Sequence, residues 1–183
     1  MASEPTEYPT ELDDDLVLPN QRSLHIRALR RCEDGPIREL VDRLSPRTRY
    51  LRFLSPMPFV PDSVIRLLAS VDYRRQLALV AEHETRNGRE VVGMGSFGAV
   101  DDSSAEVALV VSDQWQQQGV GTELASRVLE AAEARGYGRF IVHISSDNVA
   151  IRGLLRNLGE VVSAKVSRGV SELVFVRRRA TTV

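Results

Sequence analysis

The residues best suited to chemistry lie in one stretch, Ala105 to Leu124, AEVALVVSDQWQQQGVGTEL. An apolar run from Ala105 to Val111 leads into a short polar segment that ends in Gln116-Gln117-Gln118-Gly119-Val120-Gly121. Behind it Val120, Leu124, Val128, Leu129 and Ala132 recur at helical spacing. Glycines at the mouth of a helix let backbone N–H groups come close to a ligand. The first-turn amides and the helix dipole there favour an anion, commonly phosphate. Glycine spacing alone also allows a second reading, a tight turn that binds nothing.

Competing phosphate motifs fail on residue type. A P-loop closes with Gly-Lys-Ser/Thr, whereas Gly121 is followed by Thr122-Glu123. A dinucleotide fingerprint needs a further glycine where Leu124 stands. Upstream, Gly93-Met94-Gly95-Ser96-Phe97-Gly98 spells G-x-G-x-x-G, but inside a predicted hairpin strand with another strand after it. Those glycines read instead as a bulge or as a close approach of backbone to a neighbour.

Periodicity supplies the elements that must position the loop. Ser23 to Leu29 alternates as a strand. Asp34-Gly35-Pro36 opens a helix, with Asp34 as its cap and Ile37, Leu40, Val41 and Leu44 on one face. Ser45-Pro46 caps a short second helix that runs through Phe53. Val64, Leu67, Leu68 and Val71 describe a third. Gln76 to Glu82 and Glu90 to Val100 form a hairpin about Asn87-Gly88, and Ala105 to Val111 adds a third strand. A helix from Val120 ends near Gly136. Phe140 to Ile144 is a strand, Asn148 to Leu158 a helix closed by Gly159, and Glu160 to Val166 and Val170 to Val176 are the last strands. This order predicts an α+β fold, a mixed and mostly antiparallel sheet of about seven strands flanked by helices.

Composition narrows the function class. At 43% hydrophobic and 27% charged, the 183 residues suit one ordinary domain with enough aliphatic surface for a core. No apolar run approaches the roughly 18 residues of a membrane span. A net charge of −1 offers no field for nucleic acid or a membrane surface. Arg177-Arg178-Arg179 is too short a run to change that. Cys32 is alone, which excludes disulfide frameworks and paired-cysteine zinc sites. His25, His83 and His143 have no partners at metal spacing, so no metal is expected. Residues 1–22, with Asp13-Asp14-Asp15, read as an acidic flexible tail, or else as a partner-binding arm; residues 23–179 form the domain and 180–183 a short tail. The first residues lack the basic and apolar parts of a secretory signal, so a cytoplasmic protein is expected.

Gln116-x-x-Gly119-x-Gly121, after a strand and at the opening of a helix, resembles the acetyl-CoA pyrophosphate loop of the GNAT superfamily of N-acetyltransferases. Asn148, followed by Leu154 and Gly159, is similar to that family's helix after the fifth strand, where an Asn contacts the pantetheine arm. The element order from Ser23 to Arg177 fits as well. Leu44-Ser45, Arg49-Tyr50-Leu51-Arg52-Phe53, Ala105-Glu106-Val107-Ala108 and Gly169-Val170-Ser171-Glu172 resemble the acetyltransferase domain of bacterial protein lysine acetyltransferases.

The resemblance implies acetyl-CoA as cosubstrate and direct transfer of its acetyl group to a primary amine. The implied acceptor is a protein lysine; a small-molecule amine is the second reading and a silent acyl-CoA-binding module the third. A homodimer is left open. The implied cofactor-binding residues are Gln116, Gln117, Gln118, Gly119, Val120, Gly121, Thr122 and Asn148, with a backbone amide near Val110 or Val111 polarising the acetyl carbonyl. A free lysine has a pKa of about 10.4, so a base must take its proton. Glu106 is implied as that base, and half-burial among Val107, Ala108 and Leu109 would strengthen it. Many family members place a Tyr where it can protonate the departing thiolate. Leu155 stands at that position here. His143 reads as a packed strand histidine, with an auxiliary base as its second role.

Overall fold

Alternating apolar residues in the middle of the chain build a meander of β3 (Gln76–Thr85), β4 (Gly88–Ala99) and β5 (Ser104–Val111), paired antiparallel in that order. The computed structural model, which describes residues 7–178, extends this meander into one sheet. β1 (Asp14–Val17) and β2 (Ser23–Ala28) precede it; β6 (Arg139–Ser145), β7 (Gly159–Ser167) and β8 (Val170–Arg177) follow. The strand order is β1-β2-β3-β4-β5-β6-β8-β7, and β5–β6 is its parallel pair.

Both faces of the sheet are covered along its central strands, while β7 is exposed after Gly159. Along β3, Leu77, Leu79 and Ala81 join one core cluster while Ala78 and Val80 join the other. A strand buried on both faces reads as a near-continuous apolar run, as this one does. On the first face lie α4 (Val120–Glu133), through Leu124, Val128 and Leu129, and α5 (Val149–Leu158), through Leu155. On the second lie α1 (Asp34–Asp42) and α3 (Asp62–Leu68), through Leu40, Val41 and Ile65. The connection from α1 to α3 contains α2 (Pro46–Phe53). Ser45 caps it by accepting the Thr48 amide, and Pro46 fills the first turn. Among the described residues no helix is long and apolar enough to cross a membrane.

The upstream glycine pattern has a packing role. A Cβ on Gly93 would sit 2.9 Å from Leu124 Cδ1, and one on Gly95 3.0 Å from Val128 Cγ2. Bare backbone there lets α4 lie close on β4. The β3–β4 register also slips between Ala81↔Gly93 and Glu82↔Val91, so β4 carries a bulge beside those glycines.

Two expectations need correction. The fold starts before Ser23: β1 pairs with β2 from Asp14↔Ile26 to Val17↔Ser23, so the sheet has eight strands among the described residues. Leu12, Leu16 and Leu18 supply an apolar side inside the acidic run, and Leu18 is only 2% exposed. Arg127 on α4 also reaches Asp14 at 2.8 Å. Residues 1–6 of the expected N-terminal tail, the last residue of the expected domain and the whole expected tail 180–183 lie outside the described residues. Asp34, expected as a cap, is the first helical residue instead. Glu33 occupies the cap position and spends its carboxylate on Arg27 at 2.7 and 2.8 Å.

Gly159 joins α5 to β7 where the backbone of β8 comes closest: a Cβ there would stand 2.2 Å from the Val176 carbonyl oxygen. Gly159→Ala is expected to cost about 1–3 kcal/mol, the usual range for overpacking, and to lower Tm. Gly98, whose added Cβ would meet nothing within 4 Å, is the control. Thermal melts of Gly159→Ala and Gly98→Ala check this; equal melts would contradict it.

Candidate active site

The loop ahead of α4 is shaped for its backbone to be used. Gln117 has φ +59° and Gly119 φ +93°, so neighbouring amides turn toward one side. Among the described residues, the amides from Gln117 to Thr122 meet no acceptor, and the first bond of the helix is Glu123 N to Gly119 O at 3.1 Å. Orphan amides at a helix N-terminus form a site for an anion.

The side chains of the same loop brace it. Gln116 Nε2 donates back to Val111 O at 3.0 Å and to Thr48 Oγ1 at 3.1 Å. Gln118 accepts from Asn20 at 2.8 Å and from Arg22 at 3.2 Å, and donates to Gln114 O at 2.6 Å. The Arg22 guanidinium lies 3.3 Å over the buried Trp115 ring. A cation and an amide from the β1–β2 turn therefore hold the loop from beneath.

Beside this loop the sheet opens. β5 and β6 pair only from Ser104↔Arg139 to Glu106↔Ile141, then part, although β5 continues to Val111 and β6 to Ser145. A cleft of about 620 Å³ occupies the gap, a size common for small-molecule sites. The Ser112 amide donates to Val92 O on β4 at 2.9 Å. Alternation along an extended strand then turns the Val111 amide toward the edge that β6 has left, and the Val110 amide toward β4. Of the two expected carbonyl-polarising amides, Val111 is the one that faces the cleft.

Most of the expected site residues converge here. Glu106, Val110, Val111, Gln116, Gln117, Gly119, Gly121, Thr122 and Asn148 line the cleft; Gln118 and Val120 do not. Val120 is buried beneath the loop, and Gln118 faces the β1–β2 turn. Asn148 is 8% exposed and caps α5, accepting the Ile151 amide at 3.2 Å. Leu155, at the expected Tyr position, is a buried apolar wall of the cleft. Arg52 and Phe53 reach it; Tyr50 is exposed and does not. No group of three His, Cys, Asp or Glu among the described residues is placed to hold a metal.

The Glu106 side chain is 53% exposed, about half-buried, with its open side away from the core. The strand period explains this: Ala105 and Val107 point into the core, and Glu106 points to the other face. It stands 3.3 Å from His143 Nδ1. From α2, Arg52 looks onto the same carboxylate. Burial pushes the Arg52 guanidinium below its ordinary range, and the charge of Glu106 opposes that shift. Sequence reading missed the clasp between α2 and the loop. Asp113 accepts from Ser45 N at 2.9 Å, Ser45 Oγ at 2.7 Å and Thr48 Oγ1 at 2.7 Å. Ser45-Pro46 announced a helix cap, but nothing local pointed to a carboxylate 65 residues from Thr48.

Comparison with known proteins bears on this geometry. Residues 46–159 match the model of the Acetyltransferase (GNAT) family. Acetyltransferase PA5475 of Pseudomonas aeruginosa is 31% identical over 146 residues, 79% of this chain and 78% of that protein. The GNAT domain of S. lividans PAT superposes with a TM-score of 0.79 at 22% identity, over 93% of this chain and 99% of that one. The yncA protein of Salmonella typhimurium, a putative acetyltransferase solved with its cofactor acetyl-CoA, superposes with a TM-score of 0.64 at 18% identity, over 86% and 96%.

The clasp carries a pH prediction. Burial alone would raise the Asp113 carboxyl, but hydrogen bonds from Ser45 and Thr48 outweigh it and hold the group below its ordinary value. A carboxylate lowered in the folded state contributes stability above the unfolded value of about 3.9, and that stability is lost as pH falls through the folded value. Asp113→Asn should therefore lower Tm at pH 7 by at most about 2–4 °C, because solvent screening at this exposed carboxylate holds its contribution to about 1 kcal/mol or less. The gap to the native chain should close below pH of about 4. Melts across pH check it; a gap that persists in acid would contradict it.

Proposed function

The chain belongs to the GNAT acetyltransferase family, and on that premise we propose that it uses acetyl-CoA to acetylate the side chain of a protein lysine. The observation that carries the cosubstrate is the row of unpaired amides from Gln117 to Thr122, at the edge of a cleft opened by the parting of β5 from β6. Donors aimed outward from a helix mouth suit a diphosphate, and the narrow slot between parting strands suits an extended arm. The lysine acceptor is supported by the likeness of the Arg49–Phe53 and Ala105–Ala108 segments to bacterial protein lysine acetyltransferases.

Each residue then has a defined task. The amides of Gln117 to Thr122 hold the diphosphate, and Asn148 lies along the arm beside Ala150 and Ile151. When bound, acetyl-CoA supplies an activated acyl group with a tolerable leaving group, since a thiol has a pKa of about 8.5. The Val111 amide meets the negative charge that builds on the carbonyl oxygen during attack. Glu106 takes a proton from the acceptor nitrogen, which must be neutral to attack. Leu154, Leu155 and Ile151 keep bulk water from the thioester but offer it no proton.

A thiol-release assay with lysine peptides, folded proteins and small amines tests the reading. Glu106→Gln should cut kcat by about 100-fold or more, the lower end of general-base effects, and leave the affinity for acetyl-CoA within about twofold. Unchanged turnover would remove Glu106 as the base. Acetylation of small amines but of no protein would replace the proposed acceptor. Coenzyme binding without transfer to any amine would point to a silent binding module.

A further inference from the structure

Acetylation of an ammonium group has a proton surplus. As the N–C bond forms and the C–S bond breaks, the nitrogen gives up two protons. One ends on the coenzyme sulfur and the other must reach water. The Glu106 side chain is 53% exposed, but it lines the cleft, so acceptor and thioester bound there would hinder its direct exchange with solvent just when the base has to be reset.

The structure offers a route. His143 lies on β6 beyond the last β5–β6 pair, Glu106↔Ile141, and directly opposite Glu172 on β8. Its Nδ1 is 3.3 Å from Glu106 Oε1, and its Nε2 is 3.4 Å from Glu172 Oε2. The two ring nitrogens thus each face one carboxylate, across three neighbouring strands. Glu106 and His143 line the cleft, whereas Glu172 does not; its side chain is 41% exposed. The three groups lie in a row across β5, β6 and β8, from the lining of the cleft to a position outside it. The other charged groups at the two ends are Arg52 on α2, which faces Glu106, and Lys165 on β7, which pairs in register with Glu172.

We infer that His143 and Glu172 form, with Glu106, a relay that carries the surplus proton out of the cleft. This rests on the reading of Glu106 as the base. Glu106 takes the proton from the acceptor nitrogen and passes it to His143 Nδ1. The ring releases the proton on Nε2 to Glu172, which gives it to water. Only protons move, and the ring, 37% exposed, returns to its starting tautomer by exchange with solvent. Separations of 3.3 and 3.4 Å are long, as hydrogen bonds often are before substrate closes a site. His143 is therefore a positioning and relay residue, and the group that touches the acceptor remains Glu106.

The test compares His143→Ala and Glu172→Gln with the native chain, using acetyl-CoA and an accepted lysine peptide across pH, with and without added imidazole. The relay predicts a fall in kcat of about tenfold or more in His143→Ala, with KM for acetyl-CoA within about twofold. It predicts that imidazole restores turnover there and not in Glu106→Gln. Glu172→Gln should show a smaller fall and an altered pH profile. Native kcat in His143→Ala, alongside an impaired Glu106→Gln, would overturn the relay and leave the base assignment standing. A fall in His143→Ala that imidazole does not rescue, or that comes with a raised KM for acetyl-CoA, would assign His143 a structural role and overturn the relay as well. If Glu106→Gln is as active as the native chain, the base reading fails first and the relay with it.

Discussion

Parallel strands cannot be joined by a tight turn, and that constraint shapes everything functional in this molecule. β5 and β6 run parallel, so the chain must leave β5, cross the face of the sheet as α4 and return. The crossing puts the N-terminus of a 14-residue helix beside the end of β5, with its first amides unpaired. β6 then diverges instead of following β5 to its end. Orphan donors and an opened sheet edge thus meet at one point. Glu106, at the last paired position, marks where the opening begins.

Burial and bracing keep the arrangement rigid. Gly93 and Gly95 let α4 sit close on β4, so the direction of the helix is set by contact with the sheet. Gln116 closes the loop onto Val111 and Thr48; Gln118 closes it onto Asn20 and Arg22. Because these side chains are spent on the protein, the backbone is what remains for a ligand. Asp113 pins α2 to the same loop, so the wall carrying Arg52 and Phe53 is tied to the mouth of α4. Positioned donors that need no reorganisation are the usual source of electrostatic catalysis.

Much of this was legible in the chain because the decisive signals were local. Helix α4 shows itself in the spacing of Val120, Leu124 and Val128; α2 in Ser45-Pro46; the β3–β4 hairpin in Asn87-Gly88. The Gly93–Gly98 pattern could be set aside as a phosphate loop on context alone. What escaped depends on distance along the chain. β1 was hidden because its two aspartates, with Asp13 before them, outweigh Leu16 and the flanking Leu18 in composition, and only pairing with β2 reveals which side faces in. Apolar neighbours alone do not say how far Glu106 is covered; strand alternation turns it to the open side. The Asp113 clasp and the contact of His143 with Glu172 join residues far apart in sequence, where no period carries information.

On the proposed reading, the amides at the mouth of α4 hold the diphosphate of acetyl-CoA. Titration of the 15N-labelled protein with acetyl-CoA, followed by amide NMR, tests it most directly. The account predicts saturable shifts that are largest from Gln117 to Thr122, with smaller ones along Val107 to Val111. Binding that leaves the Gln117–Thr122 amides unmoved, or no binding at all, would contradict it.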